Sequence, residues 1–122
     1  MKICIYGAGA IGGYLGVQFA RAGADVSLVA RGAHLAAMRA NGLKLLIGDE
    51  EHVVHPRCTD NARELPPQDF VIICLKAHSI TGAIEAMRPL LGARTRIVTA
   101  VNGIPVLFYF EGSTYDSIEK RL

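Results

Sequence analysis

The stretch that most limits the fold is GAGAIGGYLG, Gly7 to Gly16, which runs straight out of Ile3-Cys4-Ile5-Tyr6. A short apolar run ending in glycine reads as a buried strand. Residues 10 to 22 then read as a helix, with Ile11, Leu15, Gln18, Phe19 and Ala22 on one stripe and Gly23 as its stop. Between them, Gly7, Gly9 and Gly12 set the spacing G-x-G-x-x-G. In a dinucleotide-binding loop each of these glycines has a task. Gly7 turns the chain tightly off the strand, Gly9 lets a pyrophosphate approach the backbone, and Gly12 lets the helix lie close on the sheet. The segment Gly7-Ala8-Gly9-Ala10-Ile11-Gly12 then offers free N–H groups and a partial positive charge to phosphates. A strand–turn–helix corner with no ligand is the plain alternative. Cost weighs against it: Gly12, Gly13 and Gly16 fall within the helix, and each costs about 1 kcal/mol relative to alanine. Such a helix needs close backbone approach on one side.

The rest of the chain alternates in the same manner. Val26 to Val29 reads as a second strand, and His34 to Ala40 as a short helix stopped by Asn41-Gly42. Leu43 to Ile47 and Glu51 to His55 read as a hairpin around Gly48-Asp49-Glu50. Pro56 and Pro66-Pro67 bracket a loop with one helical turn at Asn61 to Leu65. Phe70 to Leu75 is apolar without alternation, as a parallel strand covered on both faces would be. Ser79 is a candidate cap for a helix carrying Ile80, Ile84 and Met87, which Pro89 ends. Arg96 to Thr99 reads as a strand, followed by the turn Asn102-Gly103. Strands alternating with helices predict an α/β, Rossmann-like, doubly wound and mostly parallel sheet. At 122 residues the chain is expected to form a single domain, 1–122.

Ligands in open α/β sheets bind beyond the carboxyl ends of the strands. Asp25 lies 18 residues after Gly7 and resembles the acid that holds a ribose, but it precedes the second strand. Five residues of strand at about 3.3 Å each would hold it about 15 Å from the site. The residue at the correct end is Arg31. A guanidinium there suits a 2′-phosphate, because its planar charged fork matches phosphate oxygens. Arg31 therefore points to NADPH over NADH, with a solvated surface arginine as the alternative. Arg39 is a weaker second candidate. Lys76 and Asn102 also follow strands, near where the nicotinamide half would lie. Lysine donates to oxygens and asparagine orients them. A surface lysine and an Asn-Gly turn are their structural alternatives. His52, His55 and Cys58 have metal-like spacing, but on a strand His52 and His55 project to opposite faces, so no metal site is expected.

Bulk properties exclude more than they assign. The chain is 51% apolar, and no run reaches the roughly 18 residues of a membrane span. The N-terminus does not read as an export signal, so the cytoplasm is the expected location. Three scattered cysteines, Cys4, Cys58 and Cys74, suit a reducing compartment. A net charge of +2 with no basic run gives nucleic-acid binding no support.

The ordered set KICIYGAGAIGGYLG, VAR, CLKAH and VNGIP resembles the ketopantoate reductases (2-dehydropantoate 2-reductases). That resemblance implies NADPH-dependent reduction of 2-dehydropantoate, a 2-oxo acid, to pantoate. It also implies that Gly7, Gly9 and Gly12 hold the pyrophosphate and Arg31 the 2′-phosphate, with Lys76 and Asn102 beside the nicotinamide ribose and the ketone. Members of the family are about twice this length, and their second, helical domain supplies the catalytic lysine. No residue of this chain is assigned that role. The expectation is an N-terminal dinucleotide-binding domain that binds cofactor with little turnover, its tail from about residue 104 leading toward the second domain. A non-catalytic nucleotide-sensing module and a remnant that no longer binds are the alternatives. The apolar run Ile104 to Phe110 is expected to be exposed and to favour a homodimer.

Overall fold

The computed structural model describes residues 1–7, 10–75, 77–100 and 107–111. Its elements in chain order are β1 (Lys2–Tyr6), α1 (Ala10–Arg21), β2 (Asp25–Val29), α2 (Gly32–Asn41), β3 (Leu43–Ile47), β4 (Glu50–Val54), β5 (Arg57–Thr59), β6 (Gln68–Ile73), α3 (Ala77–Met87), β7 (Leu91–Ala100) and β8 (Leu107–Glu111). Single 3-10 turns lie at Ala62–Glu64 and Arg88–Leu90.

One sheet has the order β5-β2-β1-β6-β7-β8, and β3 and β4 form a separate hairpin. Neighbours from β5 to β7 run parallel, and β8 closes the sheet antiparallel to β7. The chain winds outward from β1 to β2 and β5, then returns to β1's other side as β6. That reversal makes the β1–β6 boundary the topological switch point of a Rossmann-like, doubly wound sheet.

Strand geometry sorts the core into two layers, because successive side chains leave a strand on opposite faces. Ile3 and Ile5 join Val17 of α1, Leu35 and Met38 of α2, and Leu28 of β2. Cys4 and Tyr6 join Val71 and Ile73 of β6, Ile97 of β7, and Ile84 and Met87 of α3. With both faces covered, β1 and β2 are buried throughout after their first residue.

Several local expectations change. The buried face of α1 is Gly12, Gly16 and Val17, whereas Ile11 is 43% exposed and Ala22 is exposed. Small residues let the helix axis come close to the sheet, so Leu15 and Phe19 pack at its flanks. The helix α3 begins at Ala77, so Ser79 lies inside it and does not cap it. Residues 57–59, read as loop, form the edge strand β5 along β2. The hairpin turn is Gly48-Asp49 alone, since Ile47 pairs with Glu50. Gly48 takes a positive φ of 62°, as the first turn position of a II′ hairpin does. Residues 107–110 of the apolar run expected to be exposed, together with residue 111, are paired with β7. Among the described residues, no helix is long and apolar enough to cross a membrane.

Candidate functional site

Backbone hydrogen bonds align the carboxyl ends of four strands. The Gly7 N–H donates to the Val29 carbonyl at 3.0 Å, and the Cys74 N–H to the Tyr6 carbonyl at 2.9 Å. The Ala30 N–H donates to the Thr59 carbonyl at 3.0 Å. Residues 7, 30–31, 60 and 74–75 are thereby held along one edge, where an open α/β sheet presents its crevice.

A cleft of about 810 Å³ opens there. Gly7, Arg31, His34, Asp60 and Leu75 line it from the strand ends and α2, and Gly82, Ala83 and Ala86 line it from α3. Gly7 has φ +96°, and a Cβ there would stand 2.7 Å from Leu75 Cδ2. The positive φ is what calls for glycine, since the leucine methyl can swing away. A Cβ on Gly12 would stand 2.5 Å from the Gly7 carbonyl oxygen and 3.2 Å from Ile5 Cγ2. Gly13 differs: its Cβ would make only an ordinary 3.7 Å contact with Leu43. At Gly16 it would stand 2.9 Å from Leu43 Cδ2. Close approach of backbone therefore accounts for Gly12; at Gly16 the neighbour is the movable end of Leu43, and Gly13 has no tight neighbour.

Arg31 is the residue before α2, extended at φ −133° and ψ 158°. Its carbonyl accepts from the Leu35 N–H at 3.3 Å, while its side chain makes no capping bond. Among the described residues its guanidinium has no ion pair, and it faces the cleft. It is close enough to Tyr6 to pull the phenol's pKa down, against the larger upward push of burial. Asp25 pairs with Lys2 at the opposite end of β2 and lies outside this cleft. Arg39 is occupied elsewhere: its Nε donates to the Cys58 carbonyl at 3.2 Å, tying α2 to β5.

Ala8, Gly9, Lys76 and Asn102 lie outside the described residues, and of Ala10 the helical backbone alone is described. His52 pairs with Glu50 at 3.3 Å, and the Cys58 thiol donates to the Pro56 carbonyl at 3.4 Å. Burial pushes the Cys4 thiol up to about 12 and the Cys74 thiol to about 11, which leaves both as poor nucleophiles. The sequence reading missed Tyr6, His34, Asp60 and Gly82. For Asp60 the signal was a position after a strand, hidden because β5 is only Arg-Cys-Thr.

Gly7, the start of α2 and a guanidinium with no ion pair among the described residues share one concave surface, a set of groups that suits a phosphate-bearing ligand. The sequence profile of the family described as "Ketopantoate reductase PanE/ApbA" matches residues 3–108. The chain belongs to that family. A 2-dehydropantoate 2-reductase of Mesorhizobium japonicum is 53% identical over 113 residues, covering 92% of this chain and 34% of that protein. The crystal structure of a PanE/ApbA family ketopantoate reductase from Ralstonia eutropha is 35% identical, with a TM-score of 0.77 over 84% of this chain and 35% of that one. A D-mandelate dehydrogenase solved with NADH and anilino(oxo)acetate shares the fold, with a TM-score of 0.76, at 23% identity over 99% of this chain and 37% of that one. The chain spans about a third of the length of the curated ketopantoate reductases it matches, less than the half expected from the sequence.

Proposed function

We propose that residues 1–122 are the NADPH-binding domain of a 2-dehydropantoate 2-reductase. The observation that carries this reading is the cleft at the switch point, where Gly7 and Arg31 face the same space. In it, the backbone of Gly7, Ala8, Gly9, Ala10, Ile11 and Gly12 receives the pyrophosphate, and Arg31 receives the 2′-phosphate. When bound, NADPH supplies the hydride for reduction of a 2-oxo acid, with 2-dehydropantoate as the substrate and pantoate as the product. Lys76 and Asn102 serve the nicotinamide ribose and the ketone, and a lysine of a second domain protonates the product oxygen. The chain from about residue 104 leads toward that domain. The isolated domain binds cofactor and turns over little. Location in the cytoplasm goes with this activity. The name of the Mesorhizobium relative supports the reaction, and the fit of a guanidinium to a phosphate supports the choice of cofactor. Homodimerisation through the apolar run 104–110 is a separate part of the reading, and a clean monomer by light scattering at high concentration removes it.

Calorimetric titration of the chain with NADPH and with NADH tests the assignment. The expected result is measurable NADPH binding and weaker NADH binding. Equal affinities remove the 2′-phosphate role of Arg31. Absence of binding to either removes the cofactor role of the isolated domain.

A further inference from the structure

We propose that the outer face of the β3–β4 hairpin is a self-association surface, on which a second copy of this chain docks face to face with Lys44 of each copy over Glu51 of the other. This surface is apart from the cleft, and the inference does not depend on the cofactor reading.

The hairpin is a two-stranded sheet of its own. Residues directly opposite each other share a face, as do residues two apart along one strand. The inner face carries Leu43, Leu45 and Val54, which join the core with Val17 and Phe19 of α1. The outer face carries Lys44 opposite Val53 and Leu46 opposite Glu51. The diagonal ion pair between Lys44 Nζ and Glu51 Oε1, at 3.8 Å, goes with one shared side for these groups. Leu46 is 71% exposed and Val53 41%. Single exposed apolar side chains are ordinary on a surface. Here two of them occupy one diagonal of a small face, with opposite charges at the ends of the other diagonal.

That arrangement is complementary to itself. A two-fold axis lying in the face along the Leu46–Val53 diagonal sets each of these residues against its own copy. The same axis brings Lys44 over Glu51 of the second copy, and Glu51 over its Lys44, within reach of flexible side chains. The other simple settings fail. An axis along the strands sets Leu46 on Glu51, and one across the strands sets Lys44 on Leu46. An axis along the Lys44–Glu51 diagonal sets like charge on like charge. A single setting therefore buries apolar on apolar and pairs both charges, and it is isologous, as closed dimers require. Its strands cross steeply, as in orthogonal sheet packing. The face is well below the roughly 800 Å² per partner of a standard interface, so the dimer is expected to be weak and reversible.

Sedimentation equilibrium of the chain over a wide concentration range tests this, with thermal unfolding recorded for each variant. The parent is expected to associate as its concentration rises. Lys44→Glu and Glu51→Lys are each expected to weaken association by about tenfold or more, because each sets like charges together at both ends. An equimolar mixture of these two variants is expected to associate again, since one then carries two carboxylates and the other two ammonium groups. Leu46→Lys is expected to abolish association, with like charges meeting on the axis. It should unfold with the parent, because the new ammonium stands opposite Glu51 on the neighbouring strand.

A parent that stays monomeric at every concentration overturns the proposal. So does a mixture of the two charge variants that stays monomeric, or a single charge variant that associates as the parent does. Association that survives Leu46→Lys overturns it too, since another surface, such as the apolar run 104–110, then carries the contact. Early unfolding of Leu46→Lys would mean that Leu46 is covered within its own chain, and this also overturns it.

Discussion

The Cβ that Gly12 lacks would stand 2.5 Å from the carbonyl oxygen of Gly7. The third glycine of the motif thus closes against the first, and the turn off β1 and the start of α1 are one packed unit. Gly12→Ala should destabilise the chain by about 1–3 kcal/mol, because backbone must move to admit the methyl. Gly13→Ala, one residue on, should stabilise it by up to about 1 kcal/mol through helix propensity. Urea unfolding of the two variants checks the contrast. Equal effects would mean that α1 does not lie against the Gly7 turn.

Arg31→Ala should weaken NADPH binding by about 10- to 100-fold, the loss of charge-assisted hydrogen bonds, and leave NADH binding unchanged. Arg31→Lys should recover part of the loss, since a point charge replaces the fork. Added salt should narrow the preference for NADPH in the parent, because Arg31 is exposed to solvent screening. Titrations at two ionic strengths measure all of this.

Thr95 should be a stability determinant although it touches no part of the cleft. It is 1% exposed and fills the register shift where β7 pairs with β6 at Gln68 and again at Phe70. Its Oγ1 accepts from the Gly92 N–H at 2.7 Å and donates to the Gln68 carbonyl at 2.6 Å. Thr95→Val keeps the shape and removes both bonds, so it should cost about 1–3 kcal/mol. Thr95→Ser keeps both and should cost about 1 kcal/mol for the lost methyl. Denaturant midpoints decide it; a valine variant as stable as the serine variant would remove the hydroxyl from the account.

Stability should fall in alkali by a route that runs through the thiols. Burial raises Cys4 from 9.0 to about 12 and Cys74 from 9.0 to about 11. The unfolded chain therefore releases these protons first. Their contribution is complete below pH 9.0 and is lost as pH rises from there toward 11 and 12. Each thiol adds a slope of at most about 1.4 kcal/mol per pH unit in that window. Unfolding midpoints of the parent and of Cys4→Ala between neutral pH and pH 10 should converge as pH rises. A constant gap between them would count against a buried neutral Cys4.

The end of the sheet around Gly7 was legible in the sequence because its signals are local. An apolar run, glycines at fixed spacing and a helix period are properties of adjacent residues, and they determined β1 and α1. The place of Arg31 after β2 followed from counting along one strand. Tertiary structure alone decided which face of α1 is buried. Periodicity in bulky residues marked Ile11 and Leu15, whereas the face that packs on the sheet is Gly12, Gly16 and Val17, with the Gly12 backbone close against the Gly7 carbonyl. It also decided that Arg57–Thr59 is a strand, since those three residues have no apolar pattern and pair only because β2 presents an open edge. Above all, it brought Asp60 and Gly82 to Arg31's cleft. They meet there because β6 returns beside β1 and leads into α3, and no local pattern encodes a pairing between segments so far apart in the chain.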